Sequence, residues 1–133
     1  MEEFDYIKYI DFWLESSQTD STAMENLYHS GDFSWSLFLG HLVLEKLLKA
    51  RITKITKSHP PFTHDLTRLA ELSGINFSDE QLDWLDTITT FNISAGYESH
   101  KRTFYNKCTR EYSEEWFNKI KQLQVWIKTK LYY

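Results

Sequence analysis

The chain has 133 residues and a formal net charge of −4, and 17% of its residues are aromatic. This length suits one domain over residues 1–133, with a hydrophobic core that needs no metal or disulfide crosslink. The net negative charge argues against a protein that coats nucleic acid through bulk electrostatics, and the single cysteine, Cys108, excludes an internal disulfide.

Only four Gly and two Pro interrupt the chain, which indicates long helices joined by short turns. A first helix is predicted from Asp5 to His29, with Gly31 ending it. Its segment 16–22 is rich in Ser and Thr, which are poor helix formers, so a break is allowed there.

The second predicted helix runs from Phe33 to Lys57, before a Pro-Pro step, and is apolar on almost every side at its start. Such a helix belongs at the centre of a bundle. His41 and Glu45 stand four positions apart on its buried side, so we expect a hydrogen bond between them. A satisfied core pair and a catalytic dyad are both compatible with this spacing.

Three further helices complete the prediction. The third begins with Thr63 as its N-cap and ends at Gly74, and the fourth follows a capping box at residues 78–81. The last helix follows Thr109 or Ser113, with apolar residues spaced by three or four: Trp116, Ile120, Leu123, Ile127 and Leu131. The predicted fold is therefore all-α, an up-and-down antiparallel helical bundle of about five helices.

The charges are unevenly distributed along the chain. Residues 1–48 hold nine acidic and two basic side chains, whereas residues 100–133 hold eight basic and three acidic ones. A phosphate or nucleic-acid contact is thus expected in the C-terminal third, although a solvated basic face also explains the charge. The sequence shows no signal segment and no apolar run long enough to cross a bilayer, so a cytoplasmic protein without a membrane partner is expected.

Two groups of residues carry a family resemblance. One is the run 40–50, Gly-His-Leu-Val-Leu-Glu-Lys-Leu-Leu-Lys-Ala, followed by Pro-Pro and His-Asp-Leu at residues 64–66; the other comprises residues 91–97 and 104–111. Together they resemble the HEPN domain, the "higher eukaryotes and prokaryotes nucleotide-binding" family. The resemblance covers nearly the whole chain. It implies a dimer of helical bundles, usually in prokaryotic defence or toxin-antitoxin systems beside a minimal nucleotidyltransferase. The aromatic excess also favours a homodimer, because aromatic side chains concentrate in interfaces.

The resemblance also raises metal-independent RNA cleavage, which in the family needs an Arg followed by His after four to six intervening residues. Arg would stabilise charge on the phosphorus and His would transfer the proton of the 2′-hydroxyl. None of the five histidines has an Arg at that spacing. Gly96 and Glu98 occupy positions where similar sequences carry Arg and Pro. No catalytic residue is therefore assigned.

The candidate nucleotide or RNA site is the segment from Gly96 to Arg102, which we predict to be a loop. Tyr97 would stack on a base while His100, Lys101 and Arg102 hold phosphate. Lys49 is a further candidate phosphate ligand, although with its basic neighbours it also suits the solvated C-terminal end of a helix.

The predicted function is a non-catalytic HEPN-like module that binds a nucleotide, an RNA segment or a nucleotidyltransferase partner. His64 and Asp65 are interpreted as structural residues at the start of the third helix. The histidines lack paired ligand spacing, so no metal is expected. The sequence has no phosphate loop and no Gly-rich dinucleotide turn, so no cofactor is expected. The alternatives are an active HEPN ribonuclease and a dimeric assembly scaffold.

Overall fold

The computed structural model describes residues 4–96 and 98–131, and this part of the chain forms helices without any strand. The helices are α1 Tyr6–Ser30, α2 Phe33–Thr56, α3 Leu66–Ser73, α4 Asp79–Gly96, α5 Glu98–Lys107 and α6 Arg110–Leu131. The all-α class is confirmed. The described residues contain six helices rather than about five, because the predicted loop is largely helical. The up-and-down order of the helices stays a prediction.

Helix α2 lies at the centre of the fold, as its apolar sequence predicts. It packs against each of the other five helices and buries residues on all its sides, from Ser36 to Thr53. Gly40 allows α2 and α6 to pack closely, since a Cβ atom there would lie 2.5 Å from Cδ1 of Ile120 on α6. None of the described helices is both long and apolar enough to cross a membrane.

Helix α1 is continuous, so the break allowed in segment 16–22 does not occur. Ser17 and Ser21 bond to neighbouring helices, whereas Thr19 and Thr22 donate to carbonyl oxygens one turn earlier in α1. Ser17 Oγ donates to the Val43 carbonyl at 3.0 Å, and Ser21 Oγ accepts from Gln124 Nε2 at 3.0 Å. Tertiary hydrogen bonds thus compensate for low helix propensity.

Most of the predicted helix ends are confirmed, with one correction. Gly31 and Gly74 end α1 and α3 with positive φ angles of 86° and 70°. Ser78 and Gln81 bond reciprocally at the start of α4. Thr63 is not the N-cap of α3, however. Asp65 takes this role because its Oδ1 accepts from two backbone amides, at 3.1 and 3.3 Å.

Helix α5 is the element that the sequence did not reveal. It is anchored by Phe104, which is buried and lies 5.4 Å from Phe91 between ring centroids. This single anchor holds a mostly polar helix against α4, which explains why its sequence lacks an apolar stripe. Its residues 98, 101, 102 and 105 share one exposed side.

Candidate functional site

The predicted site residues do not all come together. Tyr97 lies outside the described residues. Lys101 and Arg102 are neighbours on the exposed side of α5, whereas His100 projects from a different side of that helix. Lys101 lines a pocket with Trp35 at the start of α2. Lys49 stands fourteen residues further along α2, about 21 Å away, and takes no part in this surface.

The side chains around Lys101 and Arg102 form an aromatic and basic surface centred on Tyr105. We call it the Tyr105 surface, made of Trp35, Lys101, Arg102, Tyr105 and Arg110. Three adjoining depressions, of about 590, 130 and 350 Å³, share the Tyr105 side chain as a wall. Tyr105 is 71% exposed and Trp35 is 50% exposed, so both present ring area to solvent.

The cations of the Tyr105 surface are held loosely. Lys101 Nζ lies 3.2 Å from the Oε2 atom of Glu98, and both side chains are well exposed, so water screens this pair. The Arg110 guanidinium lies 5.5 Å from the ring centroid of Phe33, which orients it without neutralising its charge. An incoming anion can therefore compete for these groups.

A thiol also borders the Tyr105 surface. Cys108 lines the 350 Å³ depression but is itself buried. Burial raises the pKa of its thiol to about 11. Because only the thiolate is nucleophilic, Cys108 does not supply a nucleophile at neutral pH.

Sequence reasoning missed Trp35, Tyr105 and Arg110. The spacing of Lys101 and Tyr105, four residues apart, would have placed both on one helical side if a helix had been predicted there. Trp35 belongs to the apolar start of the predicted central helix, and its position in the first turn of α2 leaves it half exposed.

A second polar cluster lies on the other half of α2, and we call it the Glu45 cluster: His41, Glu45, Lys49 and His64. The expected hydrogen bond from His41 to Glu45 is absent, since His41 Nδ1 and Glu45 Oε1 lie 3.9 Å apart. Glu45 Oε1 instead accepts from His64 Nδ1 at 2.7 Å, and its Oε2 bonds Lys49 Nζ at 3.1 Å. Lys49 is therefore a buried ion-pair partner, not a solvated helix end.

His41 connects this cluster to the chain that enters α3. Its Nε2 lies 2.7 Å from the His64 carbonyl oxygen. Burial lowers the pKa of His41, and the hydrogen bond to His64 together with the charge of Glu45 opposes this shift only in part. Among residues 4–96 and 98–131, no group of three or more His, Cys, Asp or Glu side chains is placed to hold a metal ion.

One family model matches most of the chain. The model of the HEPN domain matches residues 10–130. The crystal structure of TT1696 from Thermus thermophilus is similar in fold, with a TM-score of 0.74 and 16% identity, over 92% of this chain and 98% of that one. A search of curated proteins gave no match.

Proposed function

The chain belongs to the HEPN domain family, and we propose that it is a non-catalytic member that binds a nucleotide or a single-stranded RNA segment at the Tyr105 surface. The observation that carries this proposal is the pair of exposed rings, Tyr105 and Trp35, with Lys101 beside both. Bases stack on aromatic rings while the cations attract phosphates.

The electrostatics of the chain favour this place over α1. The acidic excess lies in residues 1–48, and α1 exposes Asp5, Asp11 and Glu15 around one shallow depression. A polyanion is repelled from that surface and attracted to the Tyr105 surface. Stacking on one exposed ring contributes about 1–3 kcal/mol, enough to prefer nucleotides over inorganic phosphate.

The alternative of an active HEPN ribonuclease has less support. It needs an Arg and a His at a defined spacing, and the sequence contains no such pair. The five residues of the Tyr105 surface include no His, the side chain that most often transfers protons in catalysis. Binding without cleavage is thus the simpler function for this arrangement.

We also propose that the protein assembles as a homodimer and works beside a minimal nucleotidyltransferase in a defence or toxin-antitoxin system. Membership of the family supports both ideas. Ile7 and Phe12 support the dimer, because they expose apolar area on α1 at 59% and 55%. Copurification of the tagged protein with the product of a neighbouring nucleotidyltransferase gene would test the proposed partner. Absence of the nucleotidyltransferase from the eluate would contradict this proposal.

The test of the proposed binding function is calorimetry with AMP, ATP and inorganic phosphate, together with anisotropy of a labelled RNA oligonucleotide. Tyr105→Ala should weaken nucleotides and RNA roughly 5-fold or more while leaving phosphate unchanged. Lys101→Ala should weaken every anion, and the loss should shrink as salt rises.

Matched controls exist elsewhere on the surface. Phe62→Ala removes a fully exposed ring outside the Tyr105 surface, and Lys8→Ala removes an exposed cation from α1. Neither should change RNA affinity. If the two control variants weaken binding as much as Tyr105→Ala and Lys101→Ala, or if no ligand binds, the proposed function is wrong.

A further inference from the structure

The contact between Glu45 and His64 joins a buried carboxylate to an exposed imidazole. The Glu45 side chain is only 6% exposed, whereas that of His64 is 64% exposed, and Oε1 lies 2.7 Å from Nδ1. This arrangement is separate from the Tyr105 surface and does not depend on nucleotide binding there. It fixes one side of the imidazole and leaves the other side in solvent.

Hydrogen-bond chemistry determines the state of both histidine rings. The His64 carbonyl can only accept, so His41 Nε2 must donate to it. Glu45 pairs with the Lys49 ammonium through Oε2, and a carboxylate oxygen accepts, so His64 Nδ1 donates to Oε1. In neutral His64 the lone pair consequently lies on Nε2, the nitrogen left toward solvent.

The ring of His41 does not change this assignment of the His64 tautomer. Its Nδ1 has no hydrogen-bond partner among the described residues and lies 3.9 Å from Glu45 Oε1. Since burial lowers the pKa of His41, its ring is neutral at physiological pH and does not compete for the carboxylate. The buried Lys49 and the exposed His64 therefore share Glu45.

A carboxylate that accepts from Nδ1–H fixes the tautomer and the orientation of an imidazole. The backbone of His64 is held as well, through the bond from His41 to its carbonyl oxygen. Both the ring and the backbone are thus fixed, so Nε2 is presented at a defined point beside α3. Neutral nitrogen nucleophiles of this kind accept electrophilic groups.

We propose that His64 is a modification site whose Nε2 accepts a phosphoryl group from small N-phosphoryl or acyl-phosphate donors. With phosphoramidate as its N-protonated zwitterion, the Nε2 lone pair forms the new N–P bond while the P–N bond of the donor breaks, and neutral ammonia leaves with the electrons of that bond. With an acyl phosphate, the P–O bond to the acyl group breaks and the carboxylate leaves with its electrons. The imidazole gains a positive charge in this step. Glu45 stabilises it through the retained Nδ1–H, so Glu45 is the positioning residue.

The neighbouring carboxylate does not oppose the product directly. Asp65 follows His64 but directs Oδ1 at the amides of Thr67 and Arg68, where it caps α3. The new phosphoryl group would place negative charge on the loop between α2 and α3, next to the fully exposed Phe62. A reversible change of charge at this loop is the regulatory consequence.

The experiment incubates the full chain with phosphoramidate and locates the label by ³¹P NMR and peptide mass spectrometry. We expect an acid-labile phosphoryl group on His64 that forms at least about tenfold faster than on His29 or His59. Those two exposed histidines are internal controls whose rings contact aromatic side chains, Tyr28 for His29 and both Phe4 and Tyr9 for His59. His64→Asn should abolish the fast label.

Two variants test the role of Glu45. Glu45→Gln should slow labelling of His64 about tenfold. If that variant does not fold, the double variant Glu45→Leu with Lys49→Met removes both buried charges together, which cores tolerate better than one unpaired charge. In the double variant, ¹⁵N NMR should show His64 shifting toward the Nε2–H tautomer, an effect that loss of stability alone does not produce.

Three results would overturn the proposal. They are absence of label on His64, equal labelling of His29, His59 and His64, and an unchanged rate and tautomer in the double variant. Each of these results leaves the nucleotide affinity of the Tyr105 surface unaffected, so the two proposals fail independently.

Discussion

His64 and Glu45 lie nineteen positions apart in the sequence and are joined by a hydrogen bond of 2.7 Å between Nδ1 and Oε1. This bond ties the segment before α3 to the central helix. It also gives the buried Glu45 carboxylate a hydrogen-bond donor at Oε1, while its Oε2 atom binds Lys49. The loop between α2 and α3 is thereby fixed by polar contacts as well as by apolar packing.

Glu45→Ala should destabilise the fold by about 3 kcal/mol, because it leaves the Lys49 ammonium buried without its partner. Urea denaturation followed by circular dichroism measures this change in the free energy of unfolding. Glu115→Ala is the matched control, since Glu115 and Lys119 have the same spacing on α6 but Glu115 is 54% exposed. The control should cost at most about 1 kcal/mol. Equal effects of the two substitutions would show that the Glu45 cluster is hydrated.

Stability should fall at mildly acidic pH because of His41. Burial lowers the pKa of this residue in the folded state below its ordinary value of 6.5, so below that pH the unfolded chain binds a proton that the folded chain rejects. The stability that depends on a neutral His41 ring is fully present above about pH 6.5. It is lost as the pH falls toward the pKa of His41 in the folded state.

The measurement for His41 is the free energy of unfolding between about pH 5 and pH 7 for the native chain and for His41→Gln. The difference between the two should change with pH, by at most about 1.4 kcal/mol per pH unit. Glu45, Lys49 and His64 face His41 and are present in both proteins, so the two proteins differ only at His41. Parallel curves would contradict the assignment to His41.

Purified protein should not cleave single-stranded RNA in the presence of a chelator. In the family mechanism an Arg stabilises the charge on phosphorus while a nearby His transfers the proton of the 2′-hydroxyl. No Arg of this sequence precedes a His at the required spacing. Gel analysis of a labelled RNA after prolonged incubation measures this. Cleavage that disappears in His100→Ala would assign the activity to this chain and refute its non-catalytic character.

Light scattering at micromolar concentration should give twice the chain mass of 16.0 kDa, with little dependence on salt. Phe12→Glu should convert the dimer to a monomer, because it introduces a charge among exposed apolar side chains of α1. Val125→Glu on α6 is the matched control, as it changes a similarly exposed apolar residue and should leave the dimer intact. A monomer in the native chain would refute the dimer, and a dimer in Phe12→Glu would refute its placement on α1.

The sequence by itself determined the helical class and most helix ends. Apolar spacing identified α2 as the central helix, and the capping box at Ser78 and Gln81 marked the start of α4. Such signals are local, because a cap or an apolar stripe is complete within a few turns of one helix. The run 40–50, the Pro-Pro and His-Asp-Leu residues that follow it, and residues 91–97 and 104–111 together indicated the family.

Only the tertiary structure decided which polar groups meet. The spacing of His41 and Glu45 placed both on one side of α2, yet their side chains do not bond. The segment before α3 passes close to Glu45 and brings His64 Nδ1 within 2.7 Å of its oxygen. The same holds for Trp35 and Lys101, which α2 and α5 bring to one pocket. Helix periodicity reports which side of a helix is buried, whereas partners across helices depend on packing distances that no single segment encodes.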